Sequence, residues 1–168
     1  MPARGGLSEE LEIQANTIAA NLAEKLGANY KLLHIPDNLD ENSLNILKSN
    51  KLIREVLEDI QKINLLVFGI GNAKDMAIRR KSDSIVFEKI EKENLKAEAF
   101  GYFFDNLGNV KMQTNSVGLT LESFNEINCI IGVAAGRTKA EAIYAVSRFS
   151  NNFILVTDEA AARRILEL

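Results

Sequence analysis

Cysteine is all but missing from this sequence. Cys129 stands alone, so no internal disulfide can form. Its setting in the run Cys129-Ile130-Ile131-Gly132-Val133 reads as a small buried hydrophobe in a reducing compartment. Histidine is equally scarce: His34 is the single one, and neither a zinc-ligand spacing nor a Ser-His-Asp ordering can be assembled around it. No apolar stretch approaches the roughly 20 residues that a membrane-spanning helix needs. The opening Met1-Pro2-Ala3-Arg4-Gly5-Gly6 lacks the hydrophobic core of a signal peptide. A charge excess is absent too. Twenty Lys and Arg stand against 23 Asp and Glu, which argues against a surface built to coat nucleic acid. These absences leave a soluble, cytoplasmic chain with no metal centre as the expectation.

What is present is a core. With 46% hydrophobic residues over 168 positions, the chain can fill one domain, and no repeat, linker or boundary divides it. Ser8, Glu9 and Glu10 open a helix that Gly27 closes, with Leu11, Ala15, Ile18, Ala19, Leu22 and Leu26 at helical spacing. Gln14 and Asn16 fall on its solvated side. Tyr30–Pro36 reads as a short strand stopped by proline, and Asp37–Asn50 as polar loop with a helical turn or two. Leu52, Ile53, Val56, Leu57 and Ile60 mark another helix. Leu65–Gly69 and Cys129–Val133 have the continuous apolar character of strands buried on both faces. Helices follow at 73–80, 82–95 and 139–148, and Asp105–Asn109 makes a hairpin turn. Phe153–Thr157 is the last strand, and Asp158 caps a final helix. Strands alternating with helices imply an α/β fold with a parallel sheet covered on both faces. Ala3–Ser8 resembles a strand-to-helix loop with almost no strand before it, so the chain is expected to start in mid-domain.

Three loops lie where strands end and helices begin, the ligand edge of an open parallel sheet. They are Arg4-Gly5-Gly6, Gly69-Ile70-Gly71 and Gly136-Arg137-Thr138-Lys139. Glycine admits close backbone approach, helix N-termini attract anions, and two cations with a hydroxyl suit a phosphate. A tight turn with solvated basic residues is the competing reading. Gly69-x-Gly71 lacks the third glycine of a dinucleotide fingerprint, where Lys74 stands, which excludes a nicotinamide site. Arg79 and Arg80 end a helix whose dipole favours them. Glu98 interrupts a strand otherwise suited to burial and needs a partner, whether an arginine or a ligand hydroxyl.

Five blocks together resemble the sugar-binding domain of the SorC family of transcription regulators, and within it the glycolytic regulators of Gram-positive bacteria. They are Pro2-Ala3-Arg4-Gly5-Gly6-Leu7 with Gln14-Ala15-Asn16-Thr17-Ile18; Gly69-Ile70-Gly71-x-Ala73-x-x-Met76-Ala77-x-Arg79-Arg80; Glu98-Ala99-Phe100-Gly101-Tyr102; Thr138-Lys139-Ala140-x-Ala142-Ile143; and Val156-Thr157-Asp158-Glu159-x-Ala161. The resemblance implies a Rossmann-like, mostly parallel sheet of the kind shared with ribose-phosphate isomerases, glucosamine-phosphate deaminases and coenzyme A transferases, with its first strands missing here. It implies a non-enzymatic effector domain, spanning 1–168, that binds a phosphorylated sugar without a cofactor. In the glycolytic regulators the sugar is fructose 1,6-bisphosphate. Arg4 and Lys139 would hold one phosphate and Arg79 the other, with Glu98 and Gln14 bonding sugar hydroxyls. The resemblance also implies a homo-oligomer, and DNA binding through a helix-turn-helix that this chain lacks. Two features depart from the family. A threonine-rich phosphate loop upstream of Arg4 is absent, and Ala135-Gly136-Arg137-Thr138 replaces a glycine-glycine-serine type of loop. The alternatives are a sugar-phosphate isomerase or deaminase on the same fold, and a truncated remnant without a competent site.

Overall fold

Capping side chains and glycines set the helix limits. In the computed structural model, residues 1–5, 14–36, 39–114, 117–150 and 152–168 are described. They form two compact units, Met1–Asn64 with Asn115–Glu126, and Leu65–Thr114 with Ile127–Leu168. The expected cap at Ser8 and the turn at Glu9 to Leu11 lie outside the described residues, as does Gly6.

In the first unit, α1 (Ala15–Leu26) ends where Gly27 takes the left-handed conformation at φ 61°. The Ala28 amide then reaches back to the Ala23 carbonyl at 2.9 Å, satisfying an otherwise orphaned acceptor. Asn16 is not on a solvated face. Its amide donates to the Leu33 carbonyl and accepts from the Leu33 amide, both at 2.9 Å. A side chain thus supplies the bonds that a neighbouring strand would give, and no strand forms over Tyr30–Ile35. Leu33 and Ile35 are buried and His34 is exposed.

The stretch read as polar loop holds a nine-residue helix, α2 (Glu41–Ser49), started by Asp40, whose carboxylate accepts from the Ser43 amide and hydroxyl. Asn50 then ends α2 and caps α3 (Lys51–Ile60), accepting from the Leu52 and Ile53 amides. Near the N-terminus Arg4 forms an antiparallel bridge with Gly118. Gly5 donates to the Val117 carbonyl, and Leu119 to that of Ala3, both at 2.8 Å. Gly5 is required here by packing, because the Ile35 carbonyl occupies the place of a Cβ.

The second unit carries two sheets. One is parallel, in the order β1 (Leu65–Gly69), β6 (Cys129–Val133), β7 (Phe153–Val156). The other is antiparallel: β2 (Gly71–Asn72), β3 (Ala97–Ala99), β4 (Tyr102–Phe104), β5 (Val110–Gln113). Helices α4 (Ala73–Arg79), α5 (Ser84–Lys92), α7 (Ala140–Ser147) and α8 (Glu159–Ile165) flank them, and the short α6 (Leu121–Phe124) belongs to the first unit. A parallel sheet flanked by helices is the Rossmann-like architecture expected.

The strands differ from expectation in one respect. β1 does not bury both faces but alternates, with Leu66 and Phe68 buried and Leu65 and Val67 half exposed. Cys129 on β6 is likewise only partly buried. Gly132 keeps the covered side closed, because the Phe153 ring lies where its Cβ would stand. A second hairpin, joining β3 to β4 through Phe100 and Gly101, was not legible either. Phe100 takes a left-handed φ of 40° there, and its ring is held edge-on to Phe68 at 5.2 Å.

The expected turn at Asp105–Asn109 is organised by the Asp105 carboxylate, which accepts from the Leu107 amide, the Asn109 amide and the Asn109 side chain. Burial alone would raise its pKa, but these bonds and Lys111 outweigh it and hold the carboxyl below the usual range. Its folded value therefore lies below its unfolded value near pH 4. The stabilisation is complete above that pH and drains away as pH falls through the folded value. Urea unfolding at pH 3 and pH 6 is expected to show a smaller pH dependence in Asp105→Asn than in the parent. Equal dependences would contradict this account.

Candidate functional site

Of the described site residues of the second unit, Gly69, Gly71, Glu98 and Lys139 meet at or beside the Ile70-Gly71 segment that leaves β1, whereas Arg79, Arg137 and Thr138 are not shown there. Gly71 pairs with Glu98 across β2 and β3, and Met76 of α4 fills the space where a Cβ would lie. Close packing, rather than ligand approach alone, therefore requires this glycine. Glu98 is 3% exposed. Its Oε1 accepts from Nη2 of Arg80 at 3.1 Å and from the Gly101 amide at 2.7 Å. The Arg80 side chain is nearly as buried, at 6%. Arg80 was passed over in favour of its neighbour Arg79, which is exposed at the end of α4. Helix periodicity over 73–80 held the signal: Arg80 follows the buried Ala73 and Ala77 at helical spacing.

On the other side of the turn, Nζ of Lys139 donates to the Ile70 carbonyl at 3.1 Å. Lys139 therefore reaches the residue next to Gly71, the backbone partner of Glu98, while the Glu98 carboxylate itself is engaged by Arg80 and Gly101. Lys139 closes a single 3-10 turn (Arg137–Lys139), through which the chain passes from β6 into α7. Gly136 opens that turn at φ 100°, a backbone conformation that favours glycine. Its amide is engaged, donating to Asp158 Oδ2 at 3.0 Å. Asp158 also accepts from the Ala161 amide, and those two bonds hold its carboxyl below the ordinary range.

The loop divides its cations. Arg137 turns to Glu167 at 3.3 Å, where Arg164 also binds at 3.0 Å, and not toward Lys139. Arg137 and Thr138 line a cavity of about 590 Å³ together with Asn72, Lys74, Lys96 and Arg164. Acids balance it, with Lys74 paired to Glu91 and Lys96 to Glu141. The bond from Lys96 keeps the Glu141 carboxyl low. Sequence reasoning named neither Lys96 nor Arg164, because both lie on segments whose charges look merely solvated. Arg4, Gly5 and Gln14 belong to the first unit. Arg4 is partly buried in its bridge, and Gln14 stands at the start of α1 without capping it through its side chain. Gly69 ends β1, exposed. Among the described residues no cluster of His, Cys, Asp and Glu could hold a metal, and no helix is long and apolar enough to cross a membrane.

The sequence matches the Sugar-bind family model, a sugar-binding domain, over residues 1–167. It is 43% identical over 166 residues to the central glycolytic genes regulator of Bacillus subtilis, covering 99% of this chain and 49% of that protein. The regulator of the same name from Priestia megaterium is 40% identical, with 99% and 48% covered. The crystal structure of a SorC family transcriptional regulator from Enterococcus faecalis superposes with a TM-score of 0.90 at 42% identity, over 98% of this chain and 67% of that one. The chain thus spans about half the length of the curated relatives it matches. Those relatives are named as regulators, not enzymes. With its parallel sheet, its Lys139 and Glu98 blocks and these matches, the chain belongs to the SorC family of transcriptional regulators, as the sugar-binding domain.

Proposed function

We propose that the domain binds a phosphorylated sugar, with fructose 1,6-bisphosphate the first candidate, and that it carries out no chemistry on it. The observation that carries this is the Lys139 ammonium on the Ile70 carbonyl, at the end of β1 where an open parallel sheet takes its ligands. A flexible ammonium on a carbonyl can exchange that acceptor for a phosphate oxygen, and Glu98 is assigned to sugar hydroxyls. Arg79 is assigned to the second phosphate. Gly136, Arg137 and Thr138 define the loop that presents Lys139. Binding favours one arrangement of a homo-oligomer and thereby alters the DNA affinity of a helix-turn-helix outside these residues, by linkage.

Thermal-shift titration of the chain with fructose 1,6-bisphosphate, its monophosphates and inorganic phosphate tests this. A ligand binding only the folded state stabilises by about 2.7 kcal/mol at one hundred times its Kd. Saturable stabilisation by a sugar phosphate well beyond phosphate itself is expected, and Lys139→Ala is expected to weaken it about tenfold or more. Lys139 is the cleaner probe, since Glu98 also holds Arg80. Equal shifts with phosphate alone, or an unchanged affinity in Lys139→Ala, would remove the assignment.

A further inference from the structure

The same four residues, Lys-Ala-Glu-Ala, occur at 96–99 and again at 139–142. The first copy runs into β3 and the second opens α7. They meet in the fold, because α7 packs on β3. Their alanines are the buried members: Ala97, Ala99 and Ala142 are 0% exposed, and Ala140 is 1% exposed. Their charged members cross over. Lys96 of the first copy binds Glu141 of the second, with Nζ 2.8 Å from Oε2. The remaining two, Glu98 and Lys139, are the groups assigned to sugar hydroxyls and to a phosphate.

Both ends of the Lys96–Glu141 bond are anchored. The Lys96 amide donates to the Phe104 carbonyl at 2.8 Å, and the Lys96 carbonyl accepts from the Ala73 amide at 3.1 Å. Lys96 is thereby stitched to β4 and to the start of α4, and its side chain is 29% exposed. Glu141 stands in the first turn of α7, just beyond Lys139. The helix dipole alone favours an acid there. It does not call for a lysine at the start of β3 to meet it. The alanines supply the reason. Short side chains let helix and strand approach closely but interlock little, so at this end they only weakly oppose sliding of α7 along β3. A polar pair at one point of such a contact sets its register. Sliding α7 would carry Lys139 with it and change its separation from Glu98.

Building on the proposed sugar-phosphate function, we infer that Lys96 and Glu141 are a positioning pair for that site. They set the spacing between the phosphate-binding and hydroxyl-binding groups, and hence the size of sugar accepted, acting through Lys139 and Glu98. Dissociation constants for fructose 1,6-bisphosphate and for inorganic phosphate, measured in the parent chain and in variants of the pair, test this. Phosphate asks only for Lys139, whereas the sugar asks for both groups at the right separation. Lys96→Met and Glu141→Gln are each expected to weaken the bisphosphate about fivefold, the upper end for a partly exposed ion pair, and to leave phosphate unchanged. The two substitutions combined are expected to do no worse than either alone, and Lys96→Arg to recover the loss. A second readout needs no ligand: amide exchange at Ile143 and Tyr144 of α7 is expected to quicken in Lys96→Met. Unchanged bisphosphate affinity, a parallel loss of phosphate binding, additive effects in the combination or unchanged exchange would each overturn the pair's role and leave the proposed function standing. A parent chain that binds the bisphosphate no better than phosphate removes the proposed function, and the pair's role with it.

Discussion

Arg80→Ala is expected to destabilise the domain by about 3–5 kcal/mol, the usual cost of removing one member of a buried ion pair. The guanidinium and the Glu98 carboxylate are both almost wholly shielded from water, so neither partner can be replaced by solvent. Glu98 would retain the Gly101 amide but lose its cation. Substituting both partners, Arg80→Met with Glu98→Leu, removes the charges together and is expected to recover most of the loss. Urea denaturation of the two variants decides the matter. A single-variant loss below about 1 kcal/mol would place the pair among exposed ion pairs, against its geometry.

Phe103→Ala is expected to cost a comparable 3–5 kcal/mol, through lost burial and the cavity left behind. The ring is fully buried. It packs with Ala73 and Ala77 of α4, Ile90 of α5 and Leu95, while Val86, Phe87 and Met112 close around them. One side chain thus joins the antiparallel sheet to two helices, and the small Ala73 and Ala77 offer nothing that could swing in to fill the space. Phe103→Leu, which leaves less of the volume empty, is expected to lose under half as much. Similar losses from both substitutions would mean that volume at this position is not what matters.

Much of the fold was legible because its signals are local. Gly27, Asp158 and the Asp105 turn each announce themselves through a residue type suited to one backbone geometry. Legibility failed where a distant group took over. Asn16 serves Leu33, seventeen residues away, so an apparent solvated position and an apparent strand were both misread for one reason. α2 was missed because its polar composition hides a helix secured by Asp40 and Asn50 at its ends. The Phe100-Gly101 hairpin was missed because phenylalanine is a poor signal for a left-handed turn, and the packing of its ring on Phe68, Tyr102 and Phe104 is tertiary. In the candidate site, the glycines, Glu98 and Lys139 stood out by type, whereas the turning of Arg137 toward Glu167 depends on where α8 lies.

The bond from the Gly136 amide to Asp158 has a consequence for selectivity. That amide belongs to the loop expected to greet an anion, yet it already holds one, a carboxylate tethered by its own backbone. A visiting phosphate meets an incumbent whose effective concentration does not fall on dilution. Free phosphate, offering no further contacts, is poorly placed to evict it. Under the proposed function, a bisphosphate anchored elsewhere on the protein would compete on more equal terms, so this internal rival would filter ligands by valency as well as by charge.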